Sequence, residues 1–203
     1  MLVLASASPR RRELLTQAGF EFQLFPANIP EVRRPNEDPA TFAVRLAQEK
    51  AQSVFDQLAS REQPGTILVL GADTIVVTAE EILGKPEDAA DAARMLRLLS
   101  GRMHDVITGV CLISEQTTEV ATETTSVTVR KISEKEIAAY VASGEPMDKA
   151  GAYAIQGYAA RWIPRVEGCY FNVVGLPVAL VASMIERYDL RSSGEAVLSG
   201  AIV

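Results

Sequence analysis

The apolar and polar positions of this chain follow two periods, which predict strands and helices in alternation. Short apolar or alternating runs predict strands, whereas apolar residues three or four positions apart predict helices with one buried side. Ser, Asp and Pro near the predicted helix starts and Gly after several helix ends fit this division. The predicted strands lie within residues 2–5, 67–78, 82–83, 106–113, 120–132 and 153–174. The predicted helices lie within residues 8–19, 38–60, 88–99, 133–144 and 175–187.

Two neighbouring strands decide the expected fold class. Residues 106–113 and 120–132 are separated by a polar turn and predict a hairpin. A hairpin within a chain of alternating strands and helices predicts a mixed sheet with helices packed on it. The segment Gly71-Ala-Asp-Thr74 is expected to interrupt the strand at residues 67–78, because a glycine in a strand often marks a kink.

Composition narrows the class of protein. The 203 residues are 48% hydrophobic and 23% charged, which is typical of a soluble globular chain. Residues 1–189 suit one α/β domain, and residues 190–203 are expected to form a C-terminal tail. The net charge of −6 argues against nucleic-acid binding, which usually needs a basic surface. The apolar run Val173–Met184 is too short to span a membrane, and Met1 leads into a strand without a signal peptide, so we expect a cytoplasmic protein.

The counts of two residue types limit the chemistry. The single histidine, His104, excludes a zinc site built from several histidines. Two cysteines, Cys111 and Cys169, make a disulfide framework a poor explanation of the fold. Catalysis is therefore expected to use carboxylates, lysines, arginines and hydroxyls, which handle phosphates and metals that prefer oxygen ligands.

Three consecutive arginines, Arg10, Arg11 and Arg12, lie in the first turn of the first predicted helix. Cations are unfavourable there because the helix N-terminus already carries a partial positive charge. A bound polyanion would make this arrangement favourable, since backbone N–H groups, the helix dipole and guanidinium groups would converge on its oxygens. Ser6 and Ser8 would add hydroxyl donors. The alternative is a solvated basic turn.

Lys50 and Asp73 are charged residues in apolar surroundings. Lys50 falls on or beside the apolar side of the second predicted helix, so its ammonium group either reaches water or meets an anion in a cleft. Asp73 interrupts an apolar strand, where a buried carboxylate needs a charged partner, a hydrogen bond or a metal. Such an acid beside a cleft can bind metal or accept a proton from water, and a turn aspartate is the alternative.

Four loop residues add weaker signals. Lys85 and Lys149 lie in glycine-containing loops, where they either face solvent or, with the arginines and Lys50, neutralise a triphosphate. Glu31 lies in a proline-rich loop and is a candidate second oxygen ligand for a metal. The amide of Gln156 can read a base edge with its donor and acceptor, or it can satisfy backbone groups in a turn.

Several short segments follow one another in a specific order between residues 4 and 177. They are Leu4-Ala-Ser-Ala-Ser-Pro-Arg-Arg-Arg-Glu-Leu-Leu15, Arg45-Leu-Ala47 with Lys50-Ala51, Gly71-Ala-Asp-Thr74, Gly84-Lys-Pro86, Leu99-Ser-Gly101 with His104, Thr108-Gly-Val110, Asp148-Lys-Ala-Gly-Ala-Tyr153 with Gln156-Gly157, and Asn172-Val-Val-Gly-Leu-Pro177. In this order they resemble the Maf-like family of nucleotide pyrophosphatases. Ala7 departs from the pattern, because many members of the family carry glycine there.

The resemblance implies an α/β fold with an elongated mixed sheet flanked by helices, and two lobes with a central cleft. It implies that water attacks a nucleoside triphosphate with the help of a divalent metal cation, Mg²⁺ or Mn²⁺, and that pyrophosphate is released. By position, Asp73 resembles the general base, and we expect Glu31 and Asp73 to contact the metal. Substrate choice is implied for Arg10, Thr74 and Gln156. Phosphate binding is implied for Ser8, Arg11, Lys50, Lys85 and Lys149.

The segment at residues 148–157 resembles the subgroup of the family that acts on dTTP and UTP. Two alternatives stay open, namely the sister subgroup that acts on 7-methyl-GTP and a nucleotide-binding regulator of septum formation without significant turnover. The full set of polar cleft residues favours an enzyme. House-cleaning of modified nucleotides and control of normal pools are both compatible with this sequence, as are a monomer and a homodimer.

Overall fold

Seven strands form one mixed sheet in the computed structural model, which describes residues 1–60, 67–79 and 81–193. The strands are β1 (Leu2–Leu4), β2 (Gln23–Leu24), β3 (Leu68–Val77), β4 (Ile82–Leu83), β5 (Met103–Ile113), β6 (Thr118–Thr128) and β7 (Arg165–Glu167). The helices are α1 (Pro9–Gln17), α2 (Pro39–Ala59), α3 (Ala89–Leu99), α4 (Glu134–Ala142), α5 (Tyr170–Val174) and α6 (Val178–Ser193). The predicted mixed α/β class is confirmed.

The sheet order is β2-β1-β3-β5-β6-β7, and β4 pairs with one end of β3. β1 runs parallel to β2 and β3, whereas the β3–β5, β5–β6 and β6–β7 pairs are antiparallel. The β5–β6 pair is the predicted hairpin. β3 is therefore a central strand with partners on both sides, and Asp73 lies within it opposite Gly109 of β5.

Two of the residues predicted to begin helices do cap helices in the structure. The Oδ1 atom of Asp38 accepts a hydrogen bond from the backbone N–H of Thr41 at 3.1 Å and caps α2. Ser133 and Glu136 form a reciprocal capping box at the start of α4. These caps satisfy N–H groups that have no partner within the helix, and they fix where each helix begins.

Three sequence predictions are wrong. β3 runs without a break through Gly71–Thr74, because helix α2 packs directly on the strand at this point. Residues 153–174 do not form a strand, apart from the short β7, and contain a 3₁₀ helix at Tyr158–Trp162 followed later by α5. Their apolar side chains are buried by packing, as in the 5.1 Å contact between the rings of Tyr140 and Trp162, rather than by strand pairing. The last helix continues beyond residue 187 to Ser193, and the remainder of the expected tail, residues 194–203, lies outside the described residues.

Helix α2 lies unusually close to the sheet because two glycines leave room for its backbone. A Cβ atom on Gly71 would lie 2.1 Å from the carbonyl oxygen of Ala47, and one on Gly109 would lie 2.4 Å from that of Ala43. Real Cβ atoms do not approach backbone so closely, so both positions require glycine. This contact places the middle of α2, including Lys50, over the centre of β3.

The two faces of the sheet bury different groups. Leu70 and Ala72 of β3 pack in a large core with the side chains of α1, α3 and α6. Val69 and Ile75 face α2 instead, in two smaller clusters. Because side chains alternate along a strand, Asp73 points toward α2 and Thr74 points toward the opposite face. Among the described helices, none combines the length and apolar character needed to cross a lipid bilayer.

Candidate functional site

One cleft of about 800 Å³ brings together every site residue that the sequence singled out. Its lining includes loop residues before α2, side chains of α2, residues 148–150 and residues 153–156. The floor includes β3, and the first turn of α1 also reaches the cleft. The predicted residues that line it are Ser8, Arg10, Arg11, Glu31, Lys50, Asp73, Thr74, Lys85, Lys149 and Gln156.

A lysine bridges two carboxylates at one end of this cleft. Lys50 Nζ donates to Asp73 Oδ1 at 2.5 Å and to Glu31 Oε1 at 2.6 Å. The side chains of Lys50 and Asp73 are 10% and 8% exposed, whereas that of Glu31 is 50% exposed. The ammonium group therefore binds a buried inner carboxylate, that of Asp73, and a half-exposed outer carboxylate, that of Glu31. The question that the helix pattern left open for Lys50 is answered, because its charge meets anions in a cleft.

The two carboxylates have pKa values shifted in opposite directions. Burial raises the pKa of Asp73 above its ordinary value, and the positive charges of Lys50 and Arg11 offset only part of this effect. Burial also acts on Glu31, but the hydrogen bond and charge of Lys50 outweigh it and lower the pKa of Glu31. The inner carboxylate is thus the more basic of the two, which suits proton transfer.

Arg11 is buried and is held by four protein acceptors. Its Nε donates to the carbonyl oxygen of Gly175 at 2.8 Å, and Nη1 donates to Ser6 Oγ at 3.1 Å and to the carbonyl oxygen of Ala72 at 2.9 Å. Nη2 donates to Thr74 Oγ1 at 3.0 Å. A guanidinium group has five N–H donors, so one is left for a ligand after these contacts. Burial lowers the pKa of Arg11 despite the nearby carboxylates of Asp73 and Glu31.

Thr74 joins this network from the face of β3 opposite Asp73. Its Oγ1 lies 2.9 Å from Oγ1 of Thr108, the register partner on β5, and 3.2 Å from the carbonyl oxygen of Gly175. Thr74 therefore links β3 to α1 through Arg11 and to the turn that precedes α6. A change of this hydroxyl would disturb the wall of the cleft at three points.

A second charged cluster also lines the cleft. Arg10 Nη1 contacts Asp148 Oδ2 at 3.3 Å, and Lys149 Nζ donates to Asp148 Oδ1 at 2.5 Å. Lys149 Nζ also donates to the carbonyl oxygen of Glu145 at 2.6 Å. Asp148 is therefore a shared anchor for two of the predicted cationic residues, and the sequence signal for it was its place beside Lys149.

Three predicted site residues keep their polar groups available. The side chains of Ser8, Lys85 and Gln156 line the cleft and make no hydrogen bond with any residue that the structure describes. Lys85 nevertheless acts through its charge, since it helps to lower the pKa of Glu31. These groups are free to meet a ligand without first breaking an internal contact.

The loop that carries Glu31 is fastened to α2 by Glu37 and Arg45, a pair that sequence reasoning did not assign a role. Arg45 Nε and Nη2 donate to the two carboxylate oxygens of Glu37 at 2.6 and 2.8 Å. Arg45 Nη2 also donates to the carbonyl oxygen of Val32 at 2.9 Å, next to Glu31. The presence of Arg45 in the motif Arg45-Leu-Ala47 was the available signal.

The donor set fits a divalent metal that completes its coordination with substrate. Across residues 1–60, 67–79 and 81–193, no group of three or more His, Cys, Asp or Glu side chains is arranged to hold a metal ion. The carboxylates of Glu31 and Asp73 both contact the ammonium group of Lys50 and therefore place two carboxylate oxygens close together. Mg²⁺ is commonly bound by one or two carboxylates together with water and substrate phosphates, and Mn²⁺ accepts the same ligands.

Comparison with known proteins gives one consistent family. The model of a family described as Maf-like protein matches residues 1–188. A dTTP/UTP pyrophosphatase of Koribacter versatilis is 55% identical over 92% of this chain and 93% of that protein. Proteins of the same name from Salmonella typhimurium and Hahella chejuensis are 51% and 47% identical, each over 94% of this chain and over 91% and 93% of their own length.

Proposed function

Because the chain belongs to the Maf-like protein family, we propose that it hydrolyses dTTP and UTP to the nucleoside monophosphate and pyrophosphate. The observation that carries this proposal is the buried Asp73, paired with Lys50 in a cleft that is also lined by other cationic residues. This arrangement provides a base for water and positive charge for a triphosphate. Both are needed to cleave a phosphoanhydride.

Asp73 acts as the general base in this mechanism. Its Oδ1 is held by Lys50, while Oδ2 makes no hydrogen bond with the described residues and can accept a proton from water. As the water oxygen forms its bond to phosphorus, the anhydride bond between the α- and β-phosphates breaks and its electron pair leaves on pyrophosphate. Without metal, the raised pKa of Asp73 makes it a better proton acceptor than an ordinary aspartate, and contact with a metal would oppose this shift.

The cationic residues of the cleft bind the phosphates. Lys50 and Arg11 act on Asp73 through their charges, and Lys149 lines the same cleft, as do Lys85 and Ser8 with free polar groups. Each cation that approaches phosphate oxygens as negative charge builds up on the leaving group lowers the barrier to cleavage. Arg11 contributes in part by shaping the wall, because four of its contacts are internal.

A divalent metal held by Glu31 and Asp73 would neutralise phosphate charge and lower the pKa of the attacking water. The ammonium group of Lys50 already keeps these two carboxylates together. Their role as metal contacts is supported by the chemistry of the donors, since hard divalent cations prefer carboxylate oxygens.

Base selection is assigned to Gln156, with Arg10 and Thr74 shaping the adjoining walls. The primary amide of glutamine offers a donor and an acceptor side by side. Uracil and thymine present a carbonyl oxygen next to an N–H group on their pairing edge, which complements this pattern. Cytosine presents the reverse order, which the amide matches only after a rotation of 180°, so discrimination requires that the amide keep one orientation. Gln156 lines the cleft with its amide unpaired among the described residues, as this role requires.

The proposal is tested by pyrophosphate release from dTTP, UTP, CTP, GTP and 7-methyl-GTP, each with Mg²⁺, with Mn²⁺ and with a chelator. We expect metal-dependent turnover of dTTP and UTP above the other nucleotides. Preference for 7-methyl-GTP would retain the chemistry and reject the assigned base. Folded protein that binds these nucleotides without turnover would reject the enzyme in favour of a regulator.

A cytoplasmic location is a further part of the proposal, and a monomer and a homodimer both stay open. A nucleotide pyrophosphatase needs access to free nucleotide pools, which supports this location. Cell fractionation and light scattering of the purified protein test these two points separately from activity.

A further inference from the structure

Gln156 lies on a tight turn whose two flanks are tied to the same pair of side chains. The turn is closed by a hydrogen bond from the N–H of Gly157 to the carbonyl oxygen of Ala154 at 3.1 Å. The N–H of Ala154 donates to the hydroxyl of Tyr140 at 3.3 Å, and the N–H of Tyr158 donates to Glu145 Oε1 at 3.2 Å. The backbone is therefore fixed two residues before and two residues after Gln156.

The pair itself is joined by a hydrogen bond. The hydroxyl of Tyr140 donates to Glu145 Oε1 at 3.0 Å, so its single proton and one lone pair are both used. The ring of Tyr140 is buried and packs edge-on against Trp162 with centroids 5.1 Å apart. The buried ring thus fixes the position of the Tyr140 hydroxyl, and the hydrogen bond from this hydroxyl orients the carboxylate of Glu145.

Space beside the turn is as restricted as its hydrogen bonds. A Cβ atom on Gly157 would lie 1.9 Å from Glu145 Oε1. Since two donors hold that oxygen, it has little freedom to move aside. Only glycine lets the turn approach the carboxylate, which explains why Gly157 directly follows Gln156.

Glu145 also reaches the phosphate side of the cleft. Its carbonyl oxygen accepts a hydrogen bond from Lys149 Nζ at 2.6 Å. One residue therefore holds the turn that carries the proposed base-reading amide and, through its backbone, a proposed phosphate-binding lysine.

We propose that Tyr140 and Glu145 are positioning residues that aim the amide of Gln156 and thereby set the preference for uracil and thymine over cytosine. This inference rests on the proposed function and adds two residues to base selection that do not line the cleft. They act through the backbone of the turn rather than by touching the nucleotide. A site built around fixed donors and acceptors discriminates more strongly than a flexible one, because a mismatched base leaves buried groups unpaired.

The test compares kcat and KM for UTP and CTP in Tyr140→Phe, in Gln156→Ala and in the double variant. Tyr158→Phe is the matched control, because its hydroxyl accepts a hydrogen bond from Arg161 Nη1 at 2.8 Å and makes no hydrogen bond with the turn among the described residues. Tyr140→Phe removes the hydrogen bond to Glu145 and the one from Ala154, and we expect it to lower the UTP/CTP ratio of kcat/KM by about fivefold, mainly through a higher KM for UTP. Tyr158→Phe should leave the ratio unchanged.

Non-additivity distinguishes positioning from a general loss of structure. If Tyr140 acts through Gln156, the double variant has the same ratio as Gln156→Ala alone. An equal fall in kcat/KM for UTP and CTP, or additive effects in the double variant, would overturn the inference. Should Tyr140→Phe not fold, Glu145→Gln and Glu145→Ala replace it. The glutamine retains an acceptor and should keep most of the preference, and the alanine should lose it; equal ratios in the two would reject the inference.

Different results contradict the proposed function and the positioning role. Wild-type protein that turns over neither UTP nor dTTP contradicts the proposed function. Wild-type protein that turns over UTP with no preference over CTP, or with a preference that Gln156→Ala does not alter, keeps the hydrolysis but contradicts the base selection assigned to Gln156. A preference that Gln156→Ala lowers and Tyr140→Phe leaves unchanged contradicts the positioning role alone.

Discussion

Lys50 Nζ lies 2.5 Å from Asp73 Oδ1, although the second half of helix α2, a connection and half of a strand separate the two residues along the chain. The pair exists because Gly71 and Gly109 allow α2 to pack directly against β3 and β5. The chemistry of the cleft therefore depends on a backbone contact at positions that carry no functional group.

Replacing Asp73 with Asn tests the base directly. We expect turnover of dTTP to fall about 10²- to 10⁴-fold, which is the typical contribution of general base catalysis. Asparagine matches the size of aspartate and still accepts the hydrogen bond from Lys50, so KM should change much less than kcat. Steady-state kinetics with circular dichroism as a fold check measure this. A fully active variant would remove Asp73 from the mechanism.

The same variant should not lose stability, which is unusual for a buried polar residue. The pKa of Asp73 is raised in the folded protein, so its ionisation opposes folding, and stability is lost as pH rises through that pKa. Asparagine resembles the protonated form and avoids this loss. Thermal unfolding at pH 8 should give a Tm for Asp73→Asn equal to or above that of the wild type. A Tm clearly below it would show that the ion pair with Lys50 outweighs the cost of burial.

The pH dependence of activity should shift when Lys50 is neutralised. A base must be deprotonated, so kcat/KM falls as pH drops through the pKa of Asp73, at a higher pH than for an ordinary aspartate. Lys50→Gln removes a positive charge that lowers this pKa, so the acid limb should move further toward high pH. Both enzymes see the same substrate titration, so the difference between their profiles reports the enzyme. Superimposable profiles would assign the acid limb to another group.

Gly71→Ala should damage both stability and activity. Its Cβ would meet the backbone of Ala47 and Ala51, which cannot rotate away, so α2 must shift. Overpacking of this kind costs about 1–3 kcal/mol of unfolding free energy. The shift would also move Lys50 from Asp73 and lower kcat. Gly84→Ala is the matched control for stability, because a Cβ there meets nothing within 4 Å, and urea unfolding should show no loss for it.

Glu37→Gln should weaken the fold only where Glu37 is ionised. The hydrogen bonds from Arg45 lower the pKa of Glu37 from 4.5 to about 2. The stabilisation is therefore complete above the ordinary pKa of glutamate and disappears as pH falls toward the folded value. Urea unfolding should show a deficit for the variant at pH 7 that shrinks between pH 4.5 and 3. A deficit independent of pH would mean that shape rather than charge fastens the Glu31 loop.

Local signals in the sequence were strong enough to give the helix starts and the central hairpin. Asp38 and Ser133 cap α2 and α4 because their side chains meet N–H groups only three residues away, which a pattern can show. Strand pairing between β5 and β6 also needs only a short turn. The resemblance then supplied the identity of the site residues, which residue types alone had left open.

Contacts between distant segments could not be read in the same way. A break was expected at Gly71 because a glycine in a strand often marks a kink. In the structure this glycine instead leaves room for the backbone of α2 to pack against the strand. The strand expected at residues 153–174 failed because aromatic content is compatible with any buried segment. Tyr140 and Glu145 carry no sequence signal of their own, since their role depends on where a loop returns to α4.

The alternation of Asp73 and Thr74 on β3 has a consequence for how this chain tolerates changes in length. Adjacent residues of a strand face opposite ways, so inserting or deleting one residue before this point in β3 would exchange the two faces. The carboxylate would turn toward Arg11 and the hydroxyl toward Lys50. A substitution changes one side chain at a time, whereas the insertion of a single residue here would exchange the positions of the general base and of the threonine hydroxyl on the two faces of the sheet.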